Sequence, residues 1–133
     1  MPSLKEINFI NQTLKDLVLI SGLSGHETRV RDYLTEQLKQ NALNTKTDVL
    51  GNLICTLQGD DKLPSIILFA HMDQLGFIVK KIDENGYIRI ERVGGVPEKA
   101  LLSQDVVIVN NKQELIEGVI GIKSHHATQQ DEK

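Results

Sequence analysis

The spacing of apolar residues changes from a helical to a strand pattern near residue 45, and this change limits the folds open to the chain. From Leu4 to Ile20 apolar side chains recur every three or four residues, which predicts a first helix with one buried stripe. A second run of this kind, from about Glu27 to Gln40, predicts a second helix after the loop SGLSGHE. Short strand patterns follow from Thr45 onward. The chain is therefore expected to begin with two helices and to continue mainly as β-structure.

Three strands are predicted directly after the helices, over residues 47–50, 52–57 and 65–70. The last of them, SIILFA, is apolar from Ile66 to Ala70 without alternation, which is typical of a strand covered on both faces. We therefore expect an α/β fold in which 65–70 is a central strand and the two helices pack on its sheet.

The second half of the chain has no strong helix pattern and predicts further β-structure. Residues 76–82 and 87–93 should pair as an antiparallel hairpin, because the Asn85-Gly86 pair between them favours a tight turn. Strands are also predicted at 105–109 and 115–122, with a short helical turn near 98–102. The change in composition places a domain boundary between residues 74 and 75: 1–74 would be part of an α/β domain and 75–133 the start of an all-β domain.

Composition and charge exclude several classes of function. The 15 basic and 18 acidic residues are scattered, so the chain has no basic patch for a nucleic acid. An apolar run of the roughly 20 residues needed to cross a membrane is absent from the sequence, as is a signal-peptide pattern, so we expect a cytoplasmic protein without a membrane partner. The single cysteine, Cys55, lies among apolar neighbours and is interpreted as a small core residue rather than a nucleophile.

The candidate site residues follow the apolar run SIILFA. His71 and Asp73 would lie at the carboxyl end of a strand, where ligands gather in open α/β sheets. An extended backbone turns both side chains to the same side, so that the imidazole could bind a metal through one nitrogen while the carboxylate orients the ring. The tripeptide alone is a weak signal, since a histidine and an aspartate also cap strand ends by ordinary hydrogen bonds.

The segment LFAHMDQLGFIVKKIDENGYIRIERVGG resembles the glutamyl-aminopeptidase and deblocking-aminopeptidase family, the tetrahedral (TET) peptidases, some of which carry an endoglucanase label. The segments LSGLSGHETRVRDYL, DVLGNLI and EGVIGIKSHH resemble the same family in the same order, so the likeness covers almost the whole chain. The resemblance implies a zinc-peptidase α/β domain interrupted by an inserted β-barrel domain, with both incomplete in this chain.

The resemblance also implies a metal-dependent aminopeptidase with peptide substrates. His71 would be the first metal ligand and Asp73 a catalytic residue that orients it, in a site for two divalent ions, zinc or cobalt. The other ligands of the family and its glutamate base have no counterpart in these 133 residues. We therefore expect an N-terminal fragment of a homo-oligomeric enzyme, whose family forms dodecamers, and we expect this fragment to bind metal weakly or not at all and to be inactive by itself.

Two other functions stay open at the level of the sequence: an inactive assembly or interaction fragment, and a metallohydrolase of the carboxypeptidase and amino-acylase group. The remaining histidines receive no metal role. His125 and His126 are adjacent and would point in different directions, so they are expected to be solvated loop residues. His26 is expected in the loop before the second helix, with Ser24 or His26 near its N-cap.

Overall fold

The computed structural model describes residues 1–121 and contains both helices and small sheets. The chain divides into two compact units, the first spanning Met1–Phe77 and the second beginning at Ile78. The fold class is therefore mixed helix and strand. None of the helices within residues 1–121 is both long and apolar enough to cross a membrane.

Both predicted helices are confirmed. Helix α1 spans Leu4–Leu19 and begins with a capping box, in which the Ser3 hydroxyl accepts from the Glu6 amide and the Glu6 carboxylate accepts from the Ser3 amide at 2.7 Å. Helix α2 spans Thr28–Gln40. Its N-cap is Glu27, without a side-chain hydrogen bond. His26 directly precedes this residue in the loop before α2, as expected.

The hydrophobic core of the first unit is small and includes a residue of α2. Val30 is the buried hydrophobic residue of the described chain, 4% exposed, and it packs on Gly22, where a Cβ would come within 2.6 Å of a Val30 methyl group. The Tyr33 hydroxyl donates to Asp16 across 3.1 Å and joins α2 to α1. The predicted buried stripe of α1 is not formed, since Leu14 is 59% exposed and no α1 residue is buried.

The first two strands form a short hairpin. Strand β1 (Thr45–Thr47) pairs antiparallel with β2 (Leu53–Cys55), and Cys55 there is half-buried with a free thiol. The strand was predicted over 47–50, whereas β1 ends at Thr47, because a turn begins at Asp48. Its carboxylate accepts from the backbone amides of Leu50 and Asn52, and Gly51 has a φ of +89° that glycine adopts without strain.

The predicted central strand over residues 65–70 is not formed, which is the main correction to the sequence analysis. These residues have no regular secondary structure, and Ile66 and Phe69 are 85% and 95% exposed. A strand needs backbone partners at its edges, and none of the backbone hydrogen bonds found among residues 1–121 outside the helices and strands reaches this segment. The helices consequently do not pack on a sheet there.

The second unit contains two hairpins. Strand β3 (Gly76–Ile82), which starts at the end of the first unit, is hydrogen-bonded to β4 (Ile88–Val93), as predicted. In the turn between them the Gly86 amide donates to the Asp83 carbonyl at 3.0 Å, and Gly86 has a φ of +84°. This geometry confirms Gly86 as the residue that lets the chain reverse.

The second hairpin pairs β5 (Asp105–Val109) antiparallel with β6 (Leu115–Val119), after a short 3-10 helix at Glu98–Ala100. Strand β6 ends earlier than the predicted 115–122 because its partner strand begins only at Asp105: Ser103 has a φ of +58°, and the Gln104 amide donates to the Leu101 carbonyl. Residue 122 of that prediction lies outside the described residues. Within residues 1–121 every sheet has two strands, so a closed barrel is not present there.

Candidate active site

The side chains of His71 and Asp73 contact each other directly. Nδ1 of the imidazole lies 2.9 Å from Oδ1 of the carboxylate, and it also lies 3.1 Å from the Asp73 backbone carbonyl. Both neighbours of this nitrogen are acceptors, so it carries the proton when the ring is neutral and Nε2 carries the lone pair. The His71 side chain is 85% exposed, which leaves Nε2 open to solvent.

The second oxygen of the Asp73 carboxylate is bonded to the loop between the helices. Oδ2 accepts a hydrogen bond from the hydroxyl of Ser24, a residue 49 positions earlier in the sequence. Ser24, Asp73 and His71 therefore form one continuous hydrogen-bonded chain, with the carboxylate in the middle and 38% exposed.

The loop and the site segment are also joined through their backbones. The Gln74 amide donates to the Gly22 carbonyl at 2.7 Å, and Leu23 and Gln74 form a parallel β-bridge. Gly76 packs beside Leu23 so closely that a Cβ would lie 2.9 Å from a Leu23 methyl group. These contacts set the register that brings Ser24 beside Asp73.

The electrostatics of the site favour an ionised carboxylate. The hydrogen bond from Ser24 lowers the pKa of Asp73 below its ordinary value, and the contact with His71 lowers it further. Asp73 is therefore a carboxylate at neutral pH and acts as an acceptor towards both neighbours.

The described residues supply one oriented metal ligand rather than a whole metal site. The geometry of His71 fits this role, because a ligating histidine typically gives its other ring N–H to a carboxylate. A catalytic zinc ion normally has three protein ligands, and residues 1–121 contain no group of three or more histidine, cysteine, aspartate or glutamate side chains that could hold a metal ion. His26 is exposed and belongs to no such group, while His125 and His126 lie outside the described residues.

Two residues of this site were missed by sequence reasoning. Ser24 was expected only near the N-cap of α2, and Gln74, whose side chain also donates to the Leu17 carbonyl, was given no role. The only signal for Ser24 in the sequence is its place in the glycine-containing loop SGLSGHE, and this place does not indicate which distant residue it contacts.

The chain matches a family model described as M42 glutamyl aminopeptidase over residues 51–133. It is 36% identical over 126 residues to the putative aminopeptidase SgcX of Escherichia coli, covering 93% of this chain and 33% of that protein. It is 34% identical over 116 residues to the lysyl aminopeptidase of Pyrococcus furiosus, covering 86% and 33%. The chain thus spans about a third of the length of these relatives.

The fold is similar to that of solved TET peptidases. The structure of PhTET1-12s, a dodecamer, superposes with a TM-score of 0.77 at 32% identity, over 89% of this chain and 35% of the other. The family model, the relatives and the solved structure agree with the family that the motifs around His71 resemble. Since the family model matches more than half of the sequence, the chain belongs to the M42 glutamyl aminopeptidase family of peptidases.

Proposed function

We propose that this chain contributes His71 as the first metal ligand of a dinuclear aminopeptidase that removes N-terminal residues from peptides. Peptidases of the M42 family depend on metal ions, and zinc or cobalt would suit an imidazole ligand. The observation that carries the proposal is the 2.9 Å contact between His71 Nδ1 and Asp73 Oδ1, because it fixes the ring with Nε2 directed away from the carboxylate.

Each residue of the pair has a separate task in this proposal. Asp73 accepts the Nδ1 proton of His71, which selects the tautomer and restricts rotation of the ring. Its lowered pKa keeps it ionised and able to accept this hydrogen bond at neutral pH. Bound metal ions would activate a water molecule and polarise the scissile carbonyl of the peptide. Residues 1–121 supply one of the metal ligands that peptide hydrolysis needs. We therefore assign the reaction to a protein of the length of the relatives, of which this chain covers about a third.

Assembly and location are further parts of the proposal. The dodecamer formed by PhTET1-12s supports a homo-oligomer for the complete protein, with peptides as substrates. A cytoplasmic location is proposed from the sequence, which contains one cysteine and hence no pair for an internal disulfide. The two other functions considered, an inactive interaction fragment and a carboxypeptidase or amino-acylase type hydrolase, are not favoured by the family match.

The metal-ligand role can be tested by adding zinc to the isotope-labelled chain and following the histidine ring signals by NMR. We expect the Nε2 signal of His71 to shift progressively as zinc is added and to need a high zinc concentration, because a single imidazole is only one of the three protein ligands that a catalytic zinc ion normally has. Replacement of Asp73 by Asn should weaken this binding by about 10- to 100-fold, because the ring loses its orienting carboxylate. His71→Ala should remove the response.

His26→Ala is the matched control, since His26 is an exposed histidine that belongs to no candidate metal group of the described chain. This variant should bind zinc as the unmodified chain does. A zinc response that survives His71→Ala unchanged, or that disappears in His26→Ala, would contradict the assignment of His71.

A further inference from the structure

We propose that Ser24 is a positioning residue for the candidate metal ligand, acting on His71 through Asp73. The hydroxyl of Ser24 would hold the carboxylate in the one orientation that receives the Nδ1 proton of the imidazole. The inference rests on the proposed function, because the orientation of His71 serves metal binding only if His71 is a ligand. The contacts among Ser24, Asp73 and His71 do not themselves depend on a metal ion.

The two oxygens of Asp73 have different partners. Oδ1 lies 2.9 Å from His71 Nδ1, and Oδ2 accepts from the Ser24 hydroxyl. A carboxylate held by only one of its oxygens keeps freedom to rotate about its side-chain bonds. With both oxygens bonded, its plane is fixed relative to the imidazole, and His71 in turn has one favoured ring orientation.

Ser24 has no other structural task in the described chain that explains its position. It precedes α2 but does not cap it, because the N-cap is Glu27 and the hydroxyl of Ser24 is directed to Asp73 instead. A serine just before a helix ordinarily bonds to the free amides of the first turn. The use of this hydroxyl on a carboxylate 49 residues away is therefore a specific feature of this fold.

The backbone around Ser24 is arranged to maintain this contact. Leu23, its neighbour, forms the parallel bridge with Gln74, the neighbour of Asp73. Gly22 permits this approach, because a Cβ at that position would lie 2.6 Å from a Val30 methyl group and 3.5 Å from the Met72 carbonyl. The pairing of the two segments is thus fixed by atoms other than the Ser24 side chain, and removal of its hydroxyl should alter the carboxylate without moving the loop.

The proposal predicts a change in the tautomer of His71, which NMR measures directly. In the metal-free chain with 15N-labelled histidine, in mildly alkaline buffer where imidazoles are uncharged, two-bond proton–nitrogen correlations distinguish the Nδ1–H from the Nε2–H form. We expect Nδ1–H to predominate for His71. In Ser24→Ala the ratio of Nδ1–H to Nε2–H should fall by about two- to tenfold, the equivalent of one weakened hydrogen bond.

Two comparison variants make this result specific. Ser24→Thr keeps the hydroxyl and should retain the ratio of the unmodified chain, while Asp73→Asn removes the charged acceptor and should lower the ratio at least as far as Ser24→Ala does. Backbone amide signals of α1 and α2 that are unchanged in Ser24→Ala establish that the fold is intact. If the ratio stays constant in Ser24→Ala but falls in Asp73→Asn, Ser24 has no positioning role and the proposal is overturned; equal losses in the Ala and Thr variants would also overturn it.

The outcome is separable from that of the proposed function, because the tautomer is measured without metal. A zinc titration that shows no binding to His71 would refute the metal-ligand role and leave the tautomer result standing. A constant tautomer ratio in Ser24→Ala together with zinc binding to His71 would refute the Ser24 proposal alone.

Discussion

The side-chain amide of Gln74 donates a hydrogen bond to the backbone carbonyl of Leu17 across 3.2 Å. Gln74 directly follows Asp73, and Leu17 belongs to the last turn of α1, where the helix carbonyls lack the i+4 amide that they bond to in the middle of a helix. The residue next to the candidate site thus adds a second donor to this carbonyl, which also accepts from the Ile20 amide at 3.3 Å. Stability of α1 and placement of the site are coupled through one side chain.

Replacement of Gln74 by Ala should lower the free energy of unfolding of the first unit by about 0.5–1.5 kcal/mol, because a half-buried hydrogen bond is lost. Urea denaturation followed by circular dichroism measures this change. Gln58→Ala is the matched control, since Gln58 bonds only to nearby Asp61 on an exposed loop and its loss should cost less. Equal losses of unfolding free energy in the two variants would show that the contact with Leu17 stabilises the fold no more than an exposed surface hydrogen bond does.

The chain by itself should not hydrolyse aminoacyl p-nitroanilides, with or without added zinc or cobalt. The physical reason is the number of ligands, since His71 provides one and the described residues contain no group that completes a metal site. A colorimetric assay checks this, with the lysyl aminopeptidase of Pyrococcus furiosus and a lysyl substrate as the positive control. Turnover that depends on His71 would mean that further ligands in the chain have been overlooked.

Gly86→Val should destabilise the β3–β4 hairpin by about 1–3 kcal/mol, because valine is strained at a φ of +84°. A Cβ added at this glycine would meet no atom of the described residues within 4 Å, so the cost comes from the backbone alone. Thermal unfolding and the amide signals of β3 and β4 provide the measurement. Gly95→Val is the control, because a Cβ at Gly95 would likewise meet no atom of the described residues within 4 Å and Gly95 is not among the glycines with positive φ. An equal loss of stability in both variants would show that the backbone conformation of Gly86 is not the cause.

The stabilising effect of Asp48 should depend on pH. Hydrogen bonds from Asn52, followed by those from the Leu50 and Gly51 amides, lower the pKa of Asp48 in the folded chain. A carboxylate with a lowered folded pKa stabilises the fold above its unfolded pKa of about 4, and this contribution is lost as the pH falls towards the folded value. The difference in unfolding free energy between the unmodified chain and Asp48→Ala should therefore be largest at neutral pH and shrink in acid. A difference that grows on acidification would reverse the proposed sign.

Local features of the chain were predicted well from the sequence because they depend on neighbouring residues. The helices α1 and α2 follow from apolar spacing, and the β3–β4 turn follows from Gly86, whose conformation is set within a few residues. The adjacency of His71 and Asp73 likewise made their contact foreseeable from an extended backbone. In each case the interacting residues lie close together in the sequence.

The features that were predicted wrongly or missed depend on contacts between distant residues. The apolar run at 65–70 indicated a central strand, but a strand forms only where other segments supply hydrogen-bonding edges, and the described residues supply none there. Ser24 was expected near the N-cap of α2 because helix starts commonly use serine, whereas the partner of its hydroxyl is 49 residues away. A single sequence contains no sign of that pairing.

The distance along the chain between Ser24 and Asp73 has a consequence for the time course of folding. Ends separated by 49 residues meet only after the intervening segment has closed as a loop, and the entropy of that closure must be offset before the contact contributes anything. The His71–Asp73 contact, in contrast, forms between near neighbours and can appear early. During refolding the imidazole should therefore find its carboxylate first and acquire its final orientation later, when helix α2 and the loop before it have docked.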